Sequence, residues 1–360
     1  MMWRVMVALC GVFMVAVTVA LSVGQALPPG EQLLYVSMQP GRYGQRRIYL
    51  YDSSQGVSAN LGLTNVAAMK PAWSGDGRKL AYIQLLPDGG LGLSIFDLTT
   101  GTSTPINAPF PSSEPDWSPD GKRLAYRAGG HEIVIYDFMT QMSFMVYPIT
   151  PVHSLPLWLA DGKSLAYISN ANGISRPYIV SDQCRYEDFD CLGAGLERQI
   201  ANDETYWSIT RSPDYRRFAM SIRDGEIYRW RLDFITLDCE NVFDDSCVQI
   251  TQSYSERLPH SVEAIWSPDG KYVAFAMNSQ TRRQLHVLDV TTEVHRQLAS
   301  DLVPLANLAW SPSGTQIAVP MDTQSTKQII LVDTESGALR ARIGIRQSVY
   351  SPRWRPGSNW

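Results

Sequence analysis

Short apolar runs bounded by polar turns recur along residues 33–354, and the runs themselves repeat. The frame PAWSGDGRKLAY at 71–82 returns as PDWSPDGKRLAY at 115–126, PLWLADGKSLAY at 156–167, AIWSPDGKYVAF at 264–275 and LAWSPSGTQIAV at 308–319. A degraded copy, ITRSPDYRRFAM at 209–220, carries Arg211 where the tryptophan belongs. Each copy is followed, 20–24 residues after the tryptophan position, by an apolar run ending in Asp97, Asp137, Asp182, Asp233, Asp289 or Asp333. A seventh such run ends at Asp52 with no tryptophan motif before it, and a seventh motif, PRWRPG at 352–357, has no run after it. The two orphans complete one another.

One repeat reads as a four-stranded antiparallel meander. The residues up to the tryptophan form the first strand. Ser-Pro-Asp-Gly makes a tight turn, because Pro presets φ, Asp suits the next corner and Gly accepts positive φ. Leu-Ala-Tyr is the second strand, the run ending in Asp the third, and a Thr/Ser/Gly turn leads to a fourth. A four-stranded sheet cannot bury both faces alone, so such units stack in a ring and cover one another. The predicted fold is all-β: a seven-bladed β-propeller of four-stranded blades, spanning 31–360 and closed by the C-terminal strand pairing with the N-terminal strands. Pro71, Pro115, Pro156 and Pro352, each two residues before the tryptophan, fit an innermost strand whose edge faces the central channel.

The WSPDG units are similar to the WD-like repeats of TolB-type propellers, and the likeness covers nearly all of residues 33–354. It implies the ring. Repeats of this type serve in periplasmic scaffolds, in the gating propellers of peptidases and in a few lyases, so the resemblance leaves function open. Two departures stand out. TolB-type rings have six blades and a separate N-terminal domain, and propeller-gated peptidases carry a hydrolase domain after the ring, whereas this sequence ends six residues after Trp354.

Residues 1–30 follow a different pattern. Arg4 precedes an uncharged apolar stretch at 5–23, broken by Gly24 to Pro29. The stretch is long enough for a membrane anchor; Gly24 and Ala26 also suit a cleavable signal peptide with processing near Ala26. Either way the N-terminal segment contacts membrane and the remainder is expected outside the cytoplasm. The two longest repeats carry Cys184, Cys191, Cys239 and Cys247, in equivalent loops after the third strand. An exported chain is expected to pair them locally as disulfides, and their acidic neighbours lack the alternation of a calcium loop.

A net charge of −4 gives no footprint for nucleic acid. The chain lacks a Gly-x-Ser-x-Gly elbow, a phosphate-binding Gly-rich loop and His-Glu-x-x-His, and no metal or cofactor is expected. Three residues before each tryptophan position stand Lys70, Glu114, Leu155, Ser208, Glu263, Asn307 and Ser351, a mostly polar ring placed by strand alternation at the channel mouth. Tyr206 and Trp207 add aromatic surface on that rim, or else fill the space left by the missing tryptophan. His153 and His260 precede repeat tryptophans by five or six residues. The expected role is a non-catalytic binding or scaffold module for a protein or glycan partner. The alternative is a lyase- or hydrolase-type enzyme with a metal or acid–base site at the mouth, using His153, His260 and Glu263.

Overall fold

The computed structural model describes residues 19–20, 31–38, 46–67, 71–108, 111–129, 132–171, 173–186, 190–201, 205–224, 229–237, 239, 241–259, 264–278, 283–299, 307–322, 327–344 and 348–357. These form seven antiparallel sheets in a ring. Blades 1 to 6 run in chain order, with first strands Ala72–Trp73, Asp116–Trp117, Leu157–Trp158, Thr205–Arg211, Ile265–Trp266 and Ala309–Trp310. Blade 7 takes its first strand, Val349–Trp354, from the C-terminus and the rest from Gln32–Met38, Arg46–Asp52 and Val57–Asn60. Leu33 lies opposite Trp354 and Val36 opposite Tyr350, so the ring closes where the two orphan motifs required. Val19–Ala20 pairs in parallel with the outer strand of this blade; the remainder of the apolar segment 5–23 lies outside the described residues. Among the described residues no helix is long and apolar enough to cross a membrane.

The Leu-Ala-Tyr strands are apolar throughout because both faces are covered. Leu80 and Tyr82 pack against blade 7, while Ala81 and Ile83 pack against blade 2. Each of the seven seams holds one such cluster. At five seams the repeat tryptophan faces the preceding blade, and its indole N–H donates to the carbonyl of the residue before that blade's tryptophan position. Trp117 reaches Ala72 O at 3.1 Å, Trp158 reaches Asp116 O at 3.2 Å, Trp266 reaches Thr210 O at 3.3 Å, Trp354 reaches Ala309 O at 3.1 Å and Trp73 reaches Arg353 O at 3.4 Å. The tryptophan is therefore both core filler and clasp between blades.

The other motif residues have equally local jobs. In the first turn, Ser74 donates to Asp76 Oδ1 at 2.6 Å and accepts from Lys79 N at 2.9 Å, and Ser118 with Asp120 repeats this. Blade 3 has Leu159 in the serine's place, and Ser164 supplies the hydroxyl to Asp161 from the far side of the turn. Partial burial pushes the Asp76 carboxyl up, but the Ser74 hydroxyl, the Arg78 amide and nearby cations outweigh it, leaving the group below the usual carboxylate range. The aspartates ending the third strands cap the next turn: Asp97 accepts from Thr99 N and Asp333 from Ser336 N, each at 2.8 Å.

Both local disulfides are present, Cys184–Cys191 and Cys239–Cys247, with Cα separations of 5.9 and 5.6 Å. They are not equivalent. Cys184 and Cys191 are fully buried in the seam between blades 2 and 3, and Tyr147 N donates to Cys184 O at 2.8 Å. In the second pair Cys247 is buried and Cys239 exposed. The first staple thus belongs to the core, where the loop it closes covers blade 2.

Candidate functional site: the central channel

The innermost strands leave a channel of about 1050 Å³ along the ring axis. One end is formed by the loops entering the first strands, with Ser112, Glu114, His153, Trp207 and Ser208; the other by the prolines of the Ser-Pro turns, among them Pro119, Pro213 and Pro312. Of the ring expected from strand alternation, Glu114, Leu155 and Ser208 line this wall. Lys70, Glu263 and His260 lie outside the described residues. Asn307 and Ser351 are not among the lining residues. Both have positive φ, 75° and 53°, which breaks the strand alternation that would have turned them inward. Ser351 is buried at a bulge in the pairing of the closing strand.

Blade 4 shows what the degraded repeat does. Its first strand is seven residues long, with a register shift between Tyr206 and Ser208. The bulge leaves Tyr206 buried in the seam with blade 3 and turns Trp207 out onto the mouth, 56% exposed. The vacated tryptophan position is taken by Arg211, which reaches past blade 3 to Asp116 of blade 2. Arg211 Nη2 lies 3.2 Å from Asp116 Oδ1, Nη1 bonds Oδ2 and also Trp158 O at 2.9 Å, and the guanidinium stacks 3.8 Å from the Tyr215 ring. Asp116 Oδ2 also accepts from Trp158 N at 2.9 Å. Every seam clasp elsewhere is a neutral indole; here it is a charged pair in the channel wall.

A second pair skips a blade in the same manner. Arg353 of blade 7 meets Glu114 of blade 2 at 3.4 Å, with side chains 28% and 21% exposed. Arg127 frames the mouth, donating to His153 O at 2.8 Å and Ser112 O at 3.3 Å. Sequence reasoning placed the ring three residues before each tryptophan and missed the one directly before it. At that position the repeats have Ala72, Leu157, Thr210, Ile265 and Ala309, but Asp116 and Arg353 in two copies. Two charges in an otherwise uncharged column were a readable signal. Among the described residues no group of three His, Cys, Asp or Glu side chains is placed to hold a metal ion.

No family model and no curated protein matches this sequence. Solved structures with the same fold include TolB from Acinetobacter baumannii, at 17% identity and TM-score 0.52, covering 90% of this chain and 83% of that one. A putative 6-phosphogluconolactonase from Bacteroides fragilis matches at 14% identity and TM-score 0.59, covering 92% and 99%. The tricorn protease matches at 11% identity and TM-score 0.55 over 91% of this chain and 36% of its own. At these identities the likeness shows the propeller fold alone.

Proposed function

We propose that this propeller is a non-catalytic binding module outside the cytoplasm, which holds an extended segment of a partner protein at the mouth of its central channel. The observation that carries this reading is the Glu114–Arg353 pair. It stands partly exposed in the channel wall at 3.4 Å, longer than a well-made charge-assisted hydrogen bond. A pair that loose gives up little when a peptide's own charged and amide groups replace each partner. Trp207, lining the same channel, offers the kind of exposed aromatic anchor that concentrates binding energy in interfaces. The two disulfides and the apolar segment at 5–23 support the compartment.

The test is recovery of partners from an envelope extract by the purified full chain, comparing wild type with Glu114→Ala/Trp207→Ala and with a control, Met139→Ala, at an exposed turn of blade 2. A protein recovered by wild type and control but lost with the channel variant supports the reading. Equal recovery by all three moves the binding surface off the channel. A glycan in place of a protein replaces the partner class.

A further inference from the structure

The seam between blades 5 and 6 departs from the rest. Trp310 does not clasp blade 5; its indole N–H turns back to Gly314 O of its own turn, at 3.0 Å. A slot of about 520 Å³ opens there, lined by Pro268, Asp269, Tyr272, Trp310, Pro312 and Ser313. It sits on the face of the Ser-Pro turns, opposite the mouth that carries Trp207.

What fills this position elsewhere is visible in the same ring. In blades 1, 2 and 4 the residue six after the tryptophan position is a cation that starts the second strand and leans toward the next blade's tryptophan, whereas blades 3 and 6 have Ser164 and Gln316 there. Arg123 lies 4.7 Å from the Trp158 ring and bonds Asp182 and Gly162 O; Arg217 lies 5.0 Å from the Trp266 ring. Lys79 stands 5.4 Å from Phe138, which stacks on Trp117 at 5.1 Å. At the seam between blades 7 and 1, Arg355 donates to Gly77 O at 2.7 Å. Blade 5 places Tyr272 there instead, and among the described residues no cation lies over Trp310. Asp269 adds a carboxylate at the slot, with Oδ2 facing Lys271 Nζ at 3.9 Å.

We propose that the slot between blades 5 and 6 is a binding site for a guanidinium group, supplied by an arginine side chain of a partner polypeptide. Three seams fill this place with the ring's own cation, whereas at the seam between blades 5 and 6 a slot lies beside the tryptophan. Two aromatic rings and a carboxylate are the surroundings that favour a cation stripped of water. The slot shares Pro268, Trp310 and Pro312 with the far end of the channel but none of the mouth residues Glu114, Trp207 and Arg353, so loss of binding at the mouth leaves this site standing.

The probe is N-acetyl-arginine amide, titrated into full-length protein labelled with ¹⁵N at the indoles. The Trp310 signal is assigned from a Trp310→Phe spectrum. Saturable shifts at that signal are expected with a dissociation constant of order 1 mM, and the neutral isostere N-acetyl-citrulline amide is expected to bind at least about tenfold more weakly. Tyr272→Arg gives blade 5 the cation that blades 1, 2 and 4 have. It is expected to abolish the titration while raising the melting temperature by about 1 °C. Equal binding of citrulline and arginine amides overturns the proposal. So does a Tyr272→Arg protein that still binds the probe with wild-type affinity.

Discussion

Replacing Asp116 by Asn keeps the acceptor for Trp158 N but leaves the Arg211 guanidinium without its counter-charge. The two side chains are only 16% and 13% exposed, so solvent screens the loss incompletely. Removing one partner of a buried pair costs about 3–5 kcal/mol, and this residual exposure places the change near the lower figure. A ring of about 330 residues has an unfolding entropy near 0.7 kcal/mol/K, so ~3 kcal/mol lowers the melting temperature by about 4 °C. Arg211→Trp, which strands Asp116 instead, is expected to cost a similar amount. In the double variant the new indole can take the clasp made at five other seams, with Leu157 O as acceptor. Its melting temperature is then expected within about 2 °C of wild type. Scanning calorimetry on the four proteins gives the coupling directly. If the double variant instead falls by the sum of the two singles, about 8 °C, Arg211 is not a charged replacement for the clasp.

The seams differ in how tightly tryptophan is held: Trp158 is fully buried and clasped, Trp310 is neither. Trp158→Leu is expected to cost about 3 kcal/mol and Trp310→Leu less than about half of that, measured by thermal or denaturant unfolding. Cys184→Ala/Cys191→Ala is expected to destabilise more than Cys239→Ala/Cys247→Ala. Both closed loops are short, with chain-entropy contributions of roughly 2–3 kcal/mol, but only the first removes two fully buried sulfurs; intact mass before and after reduction confirms which bridge each variant lacks. Asp76, Asp120 and Asp214 are each pushed up by partial burial but held below the usual range by the hydroxyls of Ser74, Ser118 and Ser212 and nearby cations. Carboxyls depressed in the folded state contribute stability that is complete above their unfolded pKa, about 3.9, and is lost as pH falls through the lower folded value. The melting temperature is therefore expected to hold down to about pH 4 and decline below it, with Ser118→Ala declining less steeply because less of the depression remains to be lost.

The blade count, the closure of blade 7 by Trp354's strand and the disulfide pairing were legible in the amino-acid order. Each follows from contacts made within one repeat or from the arithmetic of repeats: a turn fixed by Ser, Pro, Asp and Gly, and a strand length fixed by the next turn. Much of the channel was not legible for a physical reason. Arg211 and Asp116 are 95 positions apart in different blades, and Arg353 and Glu114 are 239 apart; only the curvature of a closed ring brings such side chains across a blade to meet. Strand alternation also carries no warning of a left-handed residue or a bulge, so it placed Asn307 and Ser351 on the channel wall and left open which way Trp207 turns. The burial of Cys184 with Cys191, and the empty place beside Trp310, depend on which blade is the neighbour. The repeat dictates that there is a neighbour; the assembled ring decides what each one offers.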